Sequence, residues 1–235
     1  MTDSTPNLRE LNKRRTREAI SHAATRLFID RGFERTTIAE VAAAAGVAKM
    51  TVTNHFPRKE DLLLDLHEQI VARHARAVAD RAPGESALAA LRRACLAEID
   101  RHDAAIGFSG EAFARTIAES PALTARLREL HEQSETALAI ALTEAAHVPP
   151  GDFECRVAAG LLAAVPRAVS TEVFRRTLAG EDHGAIAAAV RPSAARAFDR
   201  LEGALGDFAI RADGADGADG AESSTATEEA REVME

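Results

Sequence analysis

The stretch Thr36–Leu63, TTIAEVAAAAGVAKMTVTNHFPRKEDLL, decides the fold. Ile38, Val41, Ala42 and Ala45 recur at the spacing of one helix face. Thr37 and Glu40 stand in the Thr-x-x-Glu spacing of a capping box, which fixes where that helix begins. Gly46 supplies the positive φ that ends it and turns the chain. In the short helix that follows, Val52 and Phe56 turn inward, leaving Lys49, Met50, Thr51, Thr53, Asn54 and His55 outward. A glycine-turned helix pair is the usual means of placing one helix in a DNA major groove. The outward groups can reach phosphates and base edges, so they are the predicted DNA contacts. Thr37 joins them at the start of the first helix. Lys59 joins them behind Pro57, where the spacing predicts the first turn of another helix and both its N-terminus and the ammonium attract phosphate.

The helix before this stretch extends the pattern. Leu27-Phe28, Gly32-Phe33, Thr36-Thr37-Ile38, Val41-Ala42, Ala45-Gly46-Val47, His55-Phe56 and Lys59-Glu60-Asp61-Leu62 follow one another between Ala23 and Leu63. Together they closely resemble the DNA-binding domain of the TetR (tetracycline-repressor-like) family. The resemblance implies an all-α fold with an N-terminal three-helix helix-turn-helix domain and a C-terminal helical domain for ligand binding and dimerisation. It also implies a homodimer on palindromic double-stranded operator DNA, acting as a repressor released by a small-molecule effector. Two positions depart from the family pattern. Thr53 stands where the family usually carries a phosphate-anchoring Tyr, and Ala48 stands where it often has a capping Ser or Thr.

Net charge is −8, which looks wrong for a DNA binder until it is divided along the chain. Residues 1–60 carry 11 Lys/Arg against 7 Asp/Glu, residues 61–205 carry 16 against 21, and residues 206–235 carry 2 against 9. The positive part coincides with the helix-turn-helix, and a local basic patch is what neutralises phosphate. Nine Phe, no Trp and no Tyr among 235 residues, with abundant Ala and Leu, suit packed helices better than sheets. No run of uninterrupted apolar residues is long enough to span a membrane, and the N-terminus lacks the apolar core of a signal peptide. Cys95 and Cys155 show no metal or redox spacing. These features predict a cytoplasmic protein, with no membrane association, whose two thiols are buried and inert.

Four segments are expected: a disordered arm over 1–13, the helix-turn-helix domain over 14–60, a helical effector-binding and dimerisation domain over 61–205, and a disordered acidic tail over 206–235. Lys13, Arg14, Arg15 and Arg17 either contact phosphate or form a solvated helix start. Helix 1 is expected over 15–31 and helix 4 over 59–81, joining head to body. Further helices are expected over 86–101, from Ser120-Pro121 to 146, over 152–178 with a kink at Pro166, and over 185–205. Phe108, Phe113, Leu127 and Phe174 either line an apolar effector cavity or are ordinary core, and Glu111 and Arg167 would orient the ligand. In the family the last two long helices form the dimer interface, though packing within one subunit explains Ala158–Val165 nearly as well. The histidines are scattered without three ligands at metal spacing, and no P-loop, dinucleotide or triad pattern occurs, so no metal, cofactor or enzymatic activity is expected. The rival reading is a helical protein-interaction or architectural DNA-binding module with no effector.

Overall fold

The computed structural model describes residues 8–211, which are all helix and connecting turn. Among the described residues, nine α-helices follow in order: α1 Leu8–Arg31, α2 Ile38–Ala45, α3 Lys49–His55, α4 His67–Ala79, α5 Ala87–Asp100, α6 Glu111–Ala118, α7 Pro121–Ala145, α8 Phe153–Leu178 and α9 His183–Leu205. Local sequence chemistry sets many of their ends. Ser86, Ser120, Asp152 and Asp182 each cap the helix that follows with a side-chain oxygen. Pro166 and Pro192 lie inside α8 and α9, both of which run on through them.

Three expectations need correction. α1 begins at Leu8, so residues 8–13 are helical; Leu, Arg, Glu and Lys are good helix formers even without an apolar stripe. The helix expected from Lys59 is broken. A 3₁₀ turn spans Glu60–Leu62, and α4 starts only at His67. The reason is Leu62-Leu63-Leu64, all buried. A regular helix presents consecutive side chains about 100° apart and cannot bury three in a row on one stripe. Finally, residues 206–211 are pinned to the body. Gly84 N–H donates to the Arg211 carbonyl at 2.8 Å, and the Arg81 guanidinium donates to the Ala209 carbonyl at 3.0 Å. Residues 1–7 and 212–235, including most of the expected arm and tail, lie outside the described residues.

Two apolar cores form. The first gathers Ile20, Phe28, Val41 and Val52 of α1–α3 and Phe56, just past α3, with Leu62, Leu63 and Leu64. It is closed by Ile70 of α4, Ile117 of α6, and Leu123 and Leu130 of α7. The second gathers Leu88 and Leu91 of α5, Leu162 and Val173 of α8 and Phe198 of α9 around Val78 of α4 and Leu138 and Leu142 of α7. Helices α4 and α7 therefore pass through both. α8 is the one described helix long and apolar enough to cross a membrane, and half of its most apolar stretch is buried in this fold.

Polar contacts bolt the head to the start of α7. Arg126 Nε donates to Asp61 Oδ1 at 2.8 Å, with side chains 8% and 5% exposed. Arg126 and Arg58 both reach Glu129 Oε2, at 3.0 and 2.6 Å. Ser120 Oγ donates to Glu34 Oε1 at 2.8 Å while capping α7. Breaking a buried pair on one side leaves the other charge uncompensated. Arg126→Met is thus expected to destabilise the protein by about 3 kcal/mol or more. Adding Asp61→Leu should recover most of that loss in thermal melting, whereas a double variant no better than the single would contradict the pairing.

Candidate nucleic-acid interface

The helix-turn-helix is built as its residues dictate. Thr37 Oγ1 accepts from Glu40 N–H at 3.2 Å, and Glu40 Oε2 accepts from Thr37 N–H at 2.8 Å, completing the capping box. The Thr37 N–H and hydroxyl, both donating to Glu40 Oε2, hold the Glu40 carboxyl below its usual range. The Thr37 N–H, a group that could otherwise meet the phosphate predicted at Thr37, is thereby occupied. Gly46 ends α2 at φ 68°, a left-handed conformation in which a Cβ is strained. α3 follows with Ala48 at its N-cap and no side-chain capping bond.

Helix α3 buries Val52 and presents a polar face. Lys49, Met50 and Asn54 are exposed, Met50 to 69%, and Thr51, Thr53 and His55 are half-buried at its edges. Thr53 Oγ1 donates back to the Met50 carbonyl at 3.1 Å, so its hydroxyl is engaged within the helix. Burial lowers the His55 pKa, and the nearby Lys13 and Arg17 charges lower it further. Lys13, Arg14 and Arg15 are exposed on α1.

Lys59, read as a phosphate contact, and Arg17, read as either a phosphate contact or part of a solvated helix start, both face inward instead. Lys59 Nζ donates to the Phe33 carbonyl at 2.6 Å and lies 4.3 Å from the Phe33 ring centre. It ties the turn after α1 to the turn after α3. Arg17 Nη1 donates to the His55 carbonyl at 2.7 Å, and its guanidinium stacks 4.2 Å from the Phe56 ring. That places a cation on the C-terminal end of α3, where the helix dipole favours it. Sequence reasoning missed both roles. Cation-aromatic pairs 26 and 39 residues apart leave no local periodicity to read.

The effector candidates do not converge on one cavity. Phe108 belongs to the second core, whereas Phe113, Leu127 and Phe174 pack against the first. Glu111 is exposed and paired with Arg115, beside an open cleft of about 660 Å³ between the head and α6. Arg167 is exposed and faces Glu135 at 3.6 Å. The missed feature is a polar seam between the cores: Arg73, His74, Glu98, His131 and Ser134, borne on α4, α5 and α7. A polar residue inside an apolar helical pattern was its one sequence signal.

Known proteins match this arrangement. The family described as "Bacterial regulatory proteins, tetR family" matches residues 20–66, from α1 to the turn before α4. The transcriptional regulator TcmR of Streptomyces glaucescens is 34% identical over 185 residues, covering 74% of this chain and 81% of TcmR. The chain belongs to the TetR family. The transcriptional repressor AcnR of Corynebacterium diphtheriae is 34% identical over 94 residues, 40% of this chain and 46% of AcnR. The solved SmeT–triclosan complex superposes with a TM-score of 0.52 at 19% identity, covering 83% of this chain and 93% of SmeT, a likeness of fold. This TetR-family chain is accordingly a DNA-binding transcriptional regulator and not an enzyme.

The inward geometry of Arg17 separates positioning from phosphate contact. Arg17→Met should reduce preference for operator over random DNA by about tenfold, since a displaced α3 loses base contacts worth roughly 1–3 kcal/mol each. The dependence of log K on log salt should stay unchanged, whereas loss of a phosphate contact flattens it by about 0.9. Titrations of both DNAs at several salt concentrations decide between the two.

Proposed function

We propose that this TetR-family regulator is a homodimeric repressor that binds a palindromic operator and is released by a small-molecule effector. The exposed polar face of α3 carries the reading, because it stands on a capped, glycine-turned helix pair in the most basic part of the chain. Lys49, Met50, Thr51 and Asn54 meet base edges and phosphates, with Thr53 and His55 at the rim. Thr37 and Lys59 hold the elements that present them. Lys13, Arg14 and Arg15 supply positive charge along the adjacent backbone.

The dimer forms through α8 and α9. Phe153, Val157 and Leu161 are exposed at every fourth residue of α8, with Phe153 at 69%. Ala164 and Ala168 continue that face beside α9, where a groove of about 400 Å³ is floored by Val165, Val169 and Val190. Small residues let helices approach closely, and an exposed apolar stripe of this kind favours a second copy. The dimer sets the two α3 helices in successive major grooves, about 34 Å apart or a multiple of it.

If three to five phosphates are neutralised per subunit, log K falls with log salt at a slope of roughly −5 to −9 per dimer. Equilibrium binding to an operator from the adjoining intergenic DNA measures it, and a flat response from folded protein contradicts the reading. Ala168→Glu with Leu161→Glu should yield monomers by sedimentation and lose affinity for the full palindrome. A double variant that remains dimeric would place the interface elsewhere.

A further inference from the structure

Helix α3 shows a thioether to water at the centre of its polar face. Met50 is 69% exposed, whereas Val52 is fully buried. At about 100° per residue, Met50 and Asn54 stand about 40° apart and about 160° from Val52. They therefore form the ridge of α3 farthest from the core, with Thr51 and Thr53 half-buried on its flanks. Thr53 Oγ1 donates to the Met50 carbonyl at 3.1 Å and sits 3.8 Å from Met50 Sδ. Sulfur is only a weak acceptor, so the second contact orients the side chain more than it binds it. It turns Met50 along α3 toward Thr53, one turn on. An unbranched, flexible side chain thus gives up part of its freedom before any DNA arrives.

The ridge carries one amide and one apolar group, and each matches a different feature of the major groove. The Asn54 amide has both a donor and an acceptor, which fit adenine N7 and N6. Met50 has no donor, and what it offers is apolar surface. The apolar group that the standard bases show in the major groove is the thymine C5 methyl. Laid over guanine or cytosine, the same side chain would cover O6, N7 or N4 and leave them without partners. We infer that Met50 reads a thymine methyl in each operator half-site and that Thr53 is its positioning residue. Helix α3 then selects A·T pairs where Met50 and Asn54 fall. This rests on the operator-binding reading above and names what that face recognises. Four residues of helix rise about 6 Å, so the two contacts lie within about two base-pair steps of one another along the groove.

The test uses the full-length protein and the duplexes it enriches from a random pool. Each thymine of one enriched half-site is replaced in turn by deoxyuridine, which removes only the C5 methyl and keeps the base pair. At one of these thymines the wild type should bind about fourfold more weakly, the worth of one buried methyl group. Met50→Ala should show almost no loss at that position. Thr53→Val, which keeps the side-chain shape and removes the hydroxyl, should show a smaller loss than wild type, and Thr53→Ser should restore it. Both positions lie on the surface of α3, so the variants keep the fold. Enriched half-sites in which no thymine responds to uracil, or the full loss persisting in Met50→Ala, would overturn the inference and leave operator recognition standing. Equal losses in wild type and Thr53→Val would overturn the positioning role of Thr53. A pool that yields no enriched half-site would overturn the operator reading itself, and this inference with it.

Discussion

Leu130 on α7 and Ile70 on α4 close a core that α1, α2 and α3 cannot close for themselves. The DNA-reading head offers only short second and third helices, of 8 and 7 residues, each with a single narrow apolar face. Isolated helices of that length are marginal in water, and their stability comes from the packed face. Ile117, Leu123 and Leu130 supply the missing wall. The orientation of α3, and with it everything the protein does on DNA, is inherited from helices that belong equally to the body.

That inheritance explains where charge is spent. Arg17 and Lys59 are cations that a basic DNA-binding head would be expected to show to phosphate, and Arg126 of α7 lies against that head. Each is instead folded onto a carbonyl, an aromatic ring or a carboxylate. They fix the turns between elements too short to hold themselves. Lys13, Arg14, Arg15 and Lys49 keep their charges exposed at the surface of the head. The same two helices that complete the head continue past His74 and Ser134 into the second core. A change of spacing between α4 and α7 cannot remain in the body, because their first turns are walls of the head.

The head was legible because its signals are local. The Thr37–Glu40 capping box, the Gly46 turn and the inward Val52 and Phe56 are all visible within a few residues of one another. The cap at Ser120 was legible on the same ground, and so were the long later helices. Helix 4 was misread because helical periodicity tolerates Leu62-Leu63-Leu64 in a pattern, whereas burying all three requires the 3₁₀ turn and a bend. Residues 206–211 read as tail because their backbone bonds to Gly84 and Glu85 have no sequence signature. The inward roles of Lys59 and Arg17 and the polar seam escaped for a related reason. Sequence shows that a cation or histidine is present, while its partner lies on an element that only the fold brings near. Phe113, Leu127 and Phe174, read as either cavity lining or ordinary core, pack against the core of the head.

The central claim is that head and body share a core through α4 and α7, and the most direct measurement is of the head without them. A polypeptide of residues 1–66 retains α1, α2, α3 and the 3₁₀ turn but lacks Ile70, Ile117, Leu123 and Leu130. Its amide proton–nitrogen NMR spectrum, recorded beside that of the full chain, should be poorly dispersed, and it should melt without a cooperative transition. A well-dispersed spectrum matching the head resonances of the intact protein, with a sharp thermal transition, would show that the head closes its own core and would contradict the claim.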